Sequence, residues 1–236
     1  MSKPPYGKLY LIPNFLSEDN LDDFIAEMVR RMVHHLNHFV VENEKQARAL
    51  IKRLRLANTQ QDLKIWLLNE HTNPTEVPAL LKTLEGSDVG IISDAGLPCI
   101  ADPGSALVAL AQAKNIEVIP LPGGSSMMMA LMGSGFNGQQ FAFSGYLPID
   151  KNPKIKKIKE LESLANRGVS QIFMETPYRN IQLLEELINQ CNGQTKLCIA
   201  CNISSDKGWV RTKTLAEWKA VKPNLHKIPC VFVLGN

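Results

Sequence analysis

Two hydrophobic periods alternate along the first half of the chain. Short apolar runs predict strands, and the longer segments between them, in which apolar residues recur at i, i+3 and i+4, predict helices. This alternation favours a mostly parallel sheet with helices on both faces and right-handed crossovers. The predicted strands are Leu9 to Ile12, His38 to Glu42, Ile65 to Leu68, Val89 to Ile92 and Glu117 to Ile119, and the predicted helices are Leu21 to Leu36, Glu44 to Leu56, Pro78 to Leu84 and Ser105 to Ala113.

Strands become more frequent than helices in the second half. Phe141 to Tyr146 predicts a short strand, and residues 147–153 have the proline, charge and asparagine content of a linker. We therefore expect an α/β fold of two α/β domains, residues 1–146 and 147–236, the second with a mixed, partly antiparallel sheet. Its predicted helices lie near Lys154 to Ala165 and at Tyr178 to Gln190, and its strands at Gln171 to Met174, Leu197 to Asn202, Trp209 to Lys213 and Cys230 to Leu234.

The segment from Ser93 to Gly104 joins a predicted strand to a predicted helix and has the residues of a ligand-binding loop. Its glycines permit close backbone approach or positive φ, and Asp94 and Asp102 stand where open α/β sheets hold ligands. No glycine-rich phosphate-binding motif is present in the sequence. The carboxylates repel phosphate and attract a sulfonium or ammonium, so the loop favours a ligand recognised by adenine, ribose and amino-acid groups. The structural alternative is a Pro/Gly turn with a helix-capping aspartate.

A second loop of this kind lies one element later, where Pro122 to Gly124 predicts a turn and Ser125 and Ser126 begin a helix. Serine hydroxyls and free N–H groups at a helix start either cap the helix or bind a carboxylate. Loops on successive βα units face the same end of a parallel sheet, so we expect the two loops to converge.

These loops resemble those of the tetrapyrrole methylase family of S-adenosylmethionine (SAM)-dependent methyltransferases, and within it those of the branch that methylates ribose 2′-hydroxyls of small-subunit ribosomal RNA. The resemblance implies a SAM cleft between two domains, homodimers and a ribosomal RNA or small-subunit partner. The matching segments, in family order, are Gly7 to Ile12, Ser93 to Gly104, Pro120 to Ser126, Phe141 to Pro148 and Met174 to Arg179.

The chain departs from that family pattern in three places. Pro13 to Asn20 replaces a glycine-containing turn, Val41 to Lys45 replaces an acidic-Thr-Arg segment, and Ala200 to Ser205 replaces a more charged stretch. Two other functions therefore stay open beside RNA methylation. One is methylation of a tetrapyrrole or another small molecule, and the other is SAM binding without catalysis.

The resemblance and the residue chemistry together give a set of candidate site residues. The ribose hydroxyl needs a proton acceptor, for which the candidates are Glu175, Glu42 and Asp102. SAM needs no metal, because its methyl group is already activated. The expected cofactor-binding residues are Leu16, Asp94, Ala95, Gly96, Leu97, Ser125, Ser126, Met174 and Ala200.

Candidate substrate contacts lie mainly in the second half. Arg179 can bind a phosphate or carboxylate, or brace the loop by pairing with Glu175 at i−4. Lys154 and Lys157, with Lys156, form either a phosphate-binding edge or a solvated helix face. The remaining candidates are Tyr178 and His71, the latter with the alternative of a solvated loop histidine.

Composition limits these possibilities without deciding among them. The net charge of +3 is too small to argue for nucleic acid. The sequence contains no signal peptide or membrane span and has five cysteines, so we expect a soluble, cytoplasmic protein. Cys198 and Cys201 have metal-like spacing, but an odd separation in a strand points the thiols to opposite faces, and no metal is predicted.

Overall fold

The structure is a computed structural model that describes residues 5–17, 19, 25–54 and 56–236. It divides into two compact units, Met1–Ser125 and Ser126–Asn236. The described part of the chain contains no helix long and apolar enough to cross a membrane.

The first unit is built on a five-stranded parallel sheet in the order β3-β2-β4-β1-β5. This confirms the mostly parallel sheet expected from the alternating periods. Its elements are β1 (Leu9–Ile12), α1 (Glu27–Val33), β2 (His38–Val41), α2 (Glu44–Leu54), β3 (Lys64–Leu67), α3 (Val77–Leu80), β4 (Val89–Ile92), α4 (Gly104–Ala113) and β5 (Val118–Pro120).

Two of the predicted helices are shorter in the structure. The predicted helix Leu21 to Leu36 is observed as α1, and residues 21–24 lie outside the described residues. The predicted helix Pro78 to Leu84 is a short α-helix followed by a 3₁₀ turn over Leu81–Leu84.

Both faces of the first sheet are covered, as the sequence of β2 illustrates. Successive side chains of a strand point to opposite faces. Phe39 and Val41 accordingly pack in one apolar cluster with Val29 of α1, while Val40 packs in another with Leu107 of α4. The strand ends, rather than the faces, are therefore left for binding.

The second unit is built on a mixed five-stranded sheet in the order β6-β7-β10-β8-β9. β6 and β7 are parallel and the other pairs are antiparallel, which confirms the mixed sheet. Its elements are α5 (Ser126–Ser134), β6 (Phe141–Tyr146), α6 (Lys151–Asn166), β7 (Ser170–Met174), α7 (Asn180–Gln190), β8 (Lys196–Cys201), β9 (Trp209–Thr214), α8 (Leu215–Ala220) and β10 (Cys230–Gly235).

The division between units falls after Ser125, earlier than the expected division after Tyr146. β6 pairs with β7, and α5 packs on the second sheet through Met127, Ala130 and Leu131. Of the expected linker, residues 147–150 connect β6 to α6, and residues 151–153 form the first turn of α6. One side of the Met-rich helix α5 is buried in the second unit, and the other side is exposed, with Met132 82% exposed.

Candidate methyl-donor site

Three loops meet at the carboxyl ends of β1, β4 and β5. The Asn14 N–H donates to the Gly96 carbonyl at 2.8 Å, and the Asn14 side-chain amide donates to the carbonyls of Ser93 and Asp94 at 2.8 and 3.1 Å. Asn14 thus fastens the loop after β1 to the loop after β4. Neither the sequence periodicity nor the resemblance singled out this asparagine, whose only signal is its place two residues after the end of β1.

Gly96 lies where these loops approach one another most closely. Its φ of +70° is in the left-handed region that favours glycine. A Cβ there would lie 3.2 Å from Leu16 Cδ2 and 3.5 Å from the Gly124 carbonyl oxygen. A Cβ on Gly123 would overlap Pro13 and lie 3.3 Å from Leu97 Cδ2. The structure therefore brings together the predicted cofactor residues Leu16, Gly96 and Leu97 with the second glycine loop.

Asp102 holds the loop after β4 in an unusual conformation. Its two carboxylate oxygens accept hydrogen bonds from the N–H groups of Cys99 and Gly104, both at 2.7 Å. In this segment Cys99 and Ala101 have φ values of 69° and 65°. This left-handed backbone conformation costs free energy for residues with a Cβ. The structure thus shows the capping geometry of the structural alternative, and a proton-accepting role for Asp102 stays a prediction.

Glu42 and Asp94 place two partly buried carboxyl groups near each other. The Asp94 N–H donates to Glu42 Oε2 at 3.0 Å. Burial raises the pKa of both carboxyl groups, and the charges of Asp94 and Asp102 raise the pKa of Glu42 further. Asp94 Oδ1 is buried and accepts no hydrogen bond from the described residues. A carboxylate with a raised pKa is a better proton acceptor than an ordinary one.

A cavity of about 550 Å³ opens beside Asp94, and its volume is within the range of sites for small molecules and cofactors. The predicted residues Leu16, Asp94 and Ala95 line it, and α2 forms its other wall. The full lining is Asn14, Phe15, Leu16, Ser17, Asn43, Lys45, Gln46, Ala49, Leu50, Arg53, Asp94 and Ala95.

The remaining expected cofactor residues are distributed between the units. Ser125 is buried at the end of the first unit, and Ser126 is the first residue of α5. Met174 ends β7 and Ala200 lies buried in β8, and both pack in the apolar cluster that includes Met127. Each of these roles stays a prediction.

In the second unit, Glu175 and Arg179 form the pair that the structural alternative describes. Glu175 Oε1 accepts hydrogen bonds from Arg179 Nε and Nη2 at 2.9 and 2.6 Å, and from the Thr176 N–H at 2.7 Å. The Glu175 side chain is completely buried, whereas Arg179 is partly exposed. Tyr178 is 71% exposed, and the Lys227 ammonium lies 5.8 Å from its ring centroid.

The expectation that Lys154 belongs to an exposed basic edge is wrong. Its side chain is buried, and its ammonium lies 3.2 Å from Glu186 on α7. Lys154 shares the buried face of α6 with Ile158, Leu161 and Ala165, at helical spacing. The number of lysines in this segment does not show which of them lie on the buried face of the helix. Lys157 pairs with Glu160 at i+3 and is only partly exposed, so Lys156 alone of the three is exposed without a described partner.

His71 lies in the turn after β3 with its side chain 85% exposed and 3.6 Å from Glu70. This is the geometry of a solvated loop histidine, and a substrate contact stays a prediction. The described residues contain no cluster of side chains suited to a metal ion. Cys198 and Cys201 pack in separate apolar clusters, which confirms that their thiols point to opposite faces.

The loops of the first unit suit SAM in two respects. The carboxyl group of Asp94, with its unpartnered buried oxygen, offers a counter-charge and an acceptor to a cationic ligand. The absence of a side chain at Gly96 lets the loop after β4 lie close to Leu16 and to the Gly124 carbonyl, so that the loops are held together beside Asp94. Bound SAM supplies a methyl group activated on a sulfonium.

Comparison with known proteins shows the family to which the chain belongs. Residues 40–219 match the sequence model of the family Tetrapyrrole (Corrin/Porphyrin) Methylases. The match spans more than half of the chain, and the chain therefore belongs to this family, which confirms the resemblance. As in the rest of the family, its activity is that of a SAM-dependent methyltransferase.

Curated relatives with the name Ribosomal RNA small subunit methyltransferase I match most of the chain. The protein of Vibrio cholerae is 26% identical over 93% of this chain and 74% of its own length. That of Pseudomonas aeruginosa is 28% identical over 98% and 79%, and that of Thermotoga maritima is 30% identical over 77% of each.

Solved structures share the fold at lower identity. The methyltransferase CobJ gives a TM-score of 0.62 at 17% identity, covering 98% of this chain and 94% of its own. The cobalt precorrin-4 methyltransferase CbiF gives 0.63 at 14% identity, covering 97% and 94%. The uroporphyrin III C-methyl transferase of Thermus thermophilus gives 0.61 at 14% identity, covering 98% of both chains. At these identities the likeness establishes the α/β architecture.

Proposed function

We propose that this methyltransferase transfers the SAM methyl group to a ribose 2′-hydroxyl of small-subunit ribosomal RNA. The observation that carries the RNA substrate is the match, over most of both chains, to relatives that carry the name Ribosomal RNA small subunit methyltransferase I. The observation that carries the methyl donor is the junction of three loops around Gly96.

The proposed cofactor contacts follow the chemistry of SAM. Asp94, Ala95, Gly96 and Leu97 contribute backbone and a carboxyl group, and Leu16 an apolar contact. Ser125 and Ser126, at the start of α5, suit the carboxylate of the methionine part. Met174 and Ala200 are proposed as apolar contacts from the second unit.

We assign the proton acceptor to Glu42. Bound SAM would supply its methyl group to the ribose oxygen with S-adenosylhomocysteine as the leaving group, and the Glu42 carboxylate would accept the hydroxyl proton. Glu42 is preferred to Asp102, whose two oxygens already accept backbone N–H groups. It is also preferred to Glu175, whose side chain is completely buried and paired with Arg179, whereas Glu42 is only partly buried and forms no ion pair with a described residue. The other requirement is alignment of acceptor oxygen, methyl carbon and sulfur, which a rigid loop junction provides.

A tetrapyrrole substrate is the second candidate, supported by the family description and by the solved structures of similar fold. A small macrocycle would be methylated without RNA. SAM binding without transfer to either substrate would indicate a non-catalytic module.

We also propose that the protein is a cytoplasmic homodimer. Five free cysteines suit a reducing compartment, where ribosomal RNA is methylated. Met128 and Met132 leave apolar surface exposed on α5, and this surface suits a second copy. Sedimentation equilibrium at micromolar concentration tests the dimer, and a monomer there would contradict it.

The proposed substrate is tested by deleting the gene and mapping 2′-O-methyl groups along the small-subunit RNA. We expect one methylation to disappear and to return on complementation with the wild-type gene but not with a Glu42→Gln variant. An unchanged methylation map in the deletion strain would contradict the proposal. Assay of the purified protein with uroporphyrinogen III then distinguishes the second candidate.

A further inference from the structure

We propose that the α2 wall of the cavity binds backbone phosphates of the RNA next to the acceptor nucleotide, through Lys45 and Arg53. This inference rests on the proposed function and names side chains that bind the substrate. The cavity is polar and cationic on the α2 side and carries the Asp94 carboxyl group on the other. It therefore separates a place for phosphate from a place for the reacting ribose.

Helical spacing aligns the residues of this wall. Lys45, Ala49 and Arg53 are four residues apart and lie along one face of α2, with about 12 Å between the first and last along the axis. All three line the cavity. Ala49 leaves space between the two cations, and the buried face of α2 presents Ala47, Ile51 and Leu54 to the core instead. The stripe is thus available to a ligand along its length.

Among the residues that the structure describes, the two cations have no carboxylate in ion-pair contact. Neither Lys45 nor Arg53 forms an ion pair with any residue that the structure describes. Arg48, by contrast, pairs with Glu44 at 2.8 Å. The Arg53 guanidinium lies 5.4 Å from the Phe15 ring centroid, which orients it and leaves hydrogen-bond donors for a phosphate.

The other cavity groups suit a nucleotide. The side-chain amides of Asn43 and Gln46 donate and accept hydrogen bonds, as base edges and ribose hydroxyls require. Asp94 repels phosphate, so a phosphate is favoured on the α2 side and the ribose on the side of Asp94, whose N–H donates to Glu42. A chain with a net charge of only +3 must bind RNA through such local cations.

The test measures binding of a fluorescein-labelled single-stranded RNA 12-mer to the full chain by anisotropy, with S-adenosylhomocysteine present and salt varied. The Lys45→Gln/Arg53→Gln variant should weaken binding and reduce the log-log salt slope by about 1.4, which corresponds to two phosphate contacts on a single strand. The matched control is Lys52→Gln/Lys82→Gln, which removes the same charge from exposed residues outside the cavity. It should leave the slope within error of wild type.

Substitutions at Ala49 test the same face of α2 without removing Lys45 or Arg53. Ala49→Lys should tighten RNA binding and Ala49→Glu should weaken it, while circular dichroism melting shows both variants folded. A slope and affinity that stay at wild-type values in the Lys45/Arg53 variant would overturn the inference, even if the protein methylates ribosomal RNA. A loss of SAM affinity by calorimetry, with RNA binding intact, would assign the α2 wall to the cofactor and also overturn it. Failure of the wild type to bind or methylate any RNA would instead reject the proposed function.

Discussion

The carboxylate of Glu42 accepts a hydrogen bond from the backbone N–H of Asp94, with 3.0 Å between oxygen and nitrogen. This bond joins the end of β2 to the loop after β4, the two segments that supply the proposed proton acceptor and the proposed SAM loop. Burial keeps both carboxyl groups partly out of water and raises their pKa. The site thus holds its reactive groups at a cost in stability.

Burial of the two carboxyl groups should affect how the stability of the protein depends on pH. A carboxyl group whose pKa is higher in the folded than in the unfolded chain stabilises the fold fully below the unfolded value, and this contribution is lost as pH rises through the folded value. The contribution of Glu42 and Asp94 to stability should therefore decrease from the ordinary carboxyl range, about pH 4, toward neutral pH. Glu42→Gln should make this decrease smaller. Urea unfolding between pH 4 and 7 measures it, with the exposed Glu76→Gln as control. Identical pH dependence in the two variants would contradict the assigned burial of Glu42.

Gly96→Ala should prevent SAM binding. The new Cβ would press on Leu16 and face the Gly124 carbonyl, and the positive φ adds about 1–2 kcal/mol of strain. Gly86→Ala is the matched control, because its φ of +71° carries the same strain while a Cβ there meets nothing within 4 Å. Calorimetry should show SAM binding lost in the first variant and kept in the second, with similar losses of stability. Equal SAM affinities would remove Gly96 from the site.

The Glu175–Arg179 pair should contribute mainly to stability. Arg179→Met leaves a buried carboxylate without its cation and should cost about 3 kcal/mol. A double-mutant cycle with Glu175→Gln, followed by urea unfolding, should give a coupling energy of about 1–3 kcal/mol. At a temperature where all variants are folded, Glu175→Gln should keep kcat within about tenfold of wild type, whereas loss of a proton acceptor costs about 100-fold or more. A 100-fold loss would transfer the proton-accepting role from Glu42 to Glu175.

Lys154 and Lys157 should respond differently to the same substitution. Lys154→Gln removes the cation from a buried pair with Glu186 and should destabilise the protein by about 3 kcal/mol. Lys157→Gln, on a partly exposed i, i+3 pair, should change stability by less than about 0.5 kcal/mol. Thermal unfolding of both variants compares them directly, and similar effects would contradict the burial of Lys154.

The periodicity of the chain predicted the architecture because each element carries its own signal. A strand such as β4 is an uninterrupted apolar run, and a helix such as α2 repeats its buried positions every three or four residues. The division between units depends instead on which sheet β6 joins. That pairing, with β7, is a contact between distant positions that the local pattern does not contain.

The candidate site was predictable where backbone chemistry limits the residue type. The positive φ at position 96 favours glycine, and the loop that contains it directly follows the end of strand β4, where parallel sheets bind ligands. Side-chain partners were not predictable in this way. Asn14 has no motif around it, and the burial of Lys154 follows from its helical phase and from Glu186, more than thirty residues away. One sequence shows that a charged residue is present but not which partner it meets.

The most direct test is methyl transfer by the purified protein from SAM carrying a deuterated methyl group. Small ribosomal subunits from the deletion strain serve as substrate, large subunits as control, and mass spectrometry of the digested RNA identifies the labelled nucleoside. We expect the label on a single ribose 2′-oxygen of the small-subunit RNA, and a strongly reduced yield with Glu42→Gln. Label on a base, on uroporphyrinogen III alone, or on no acceptor while SAM binds would contradict the proposed function.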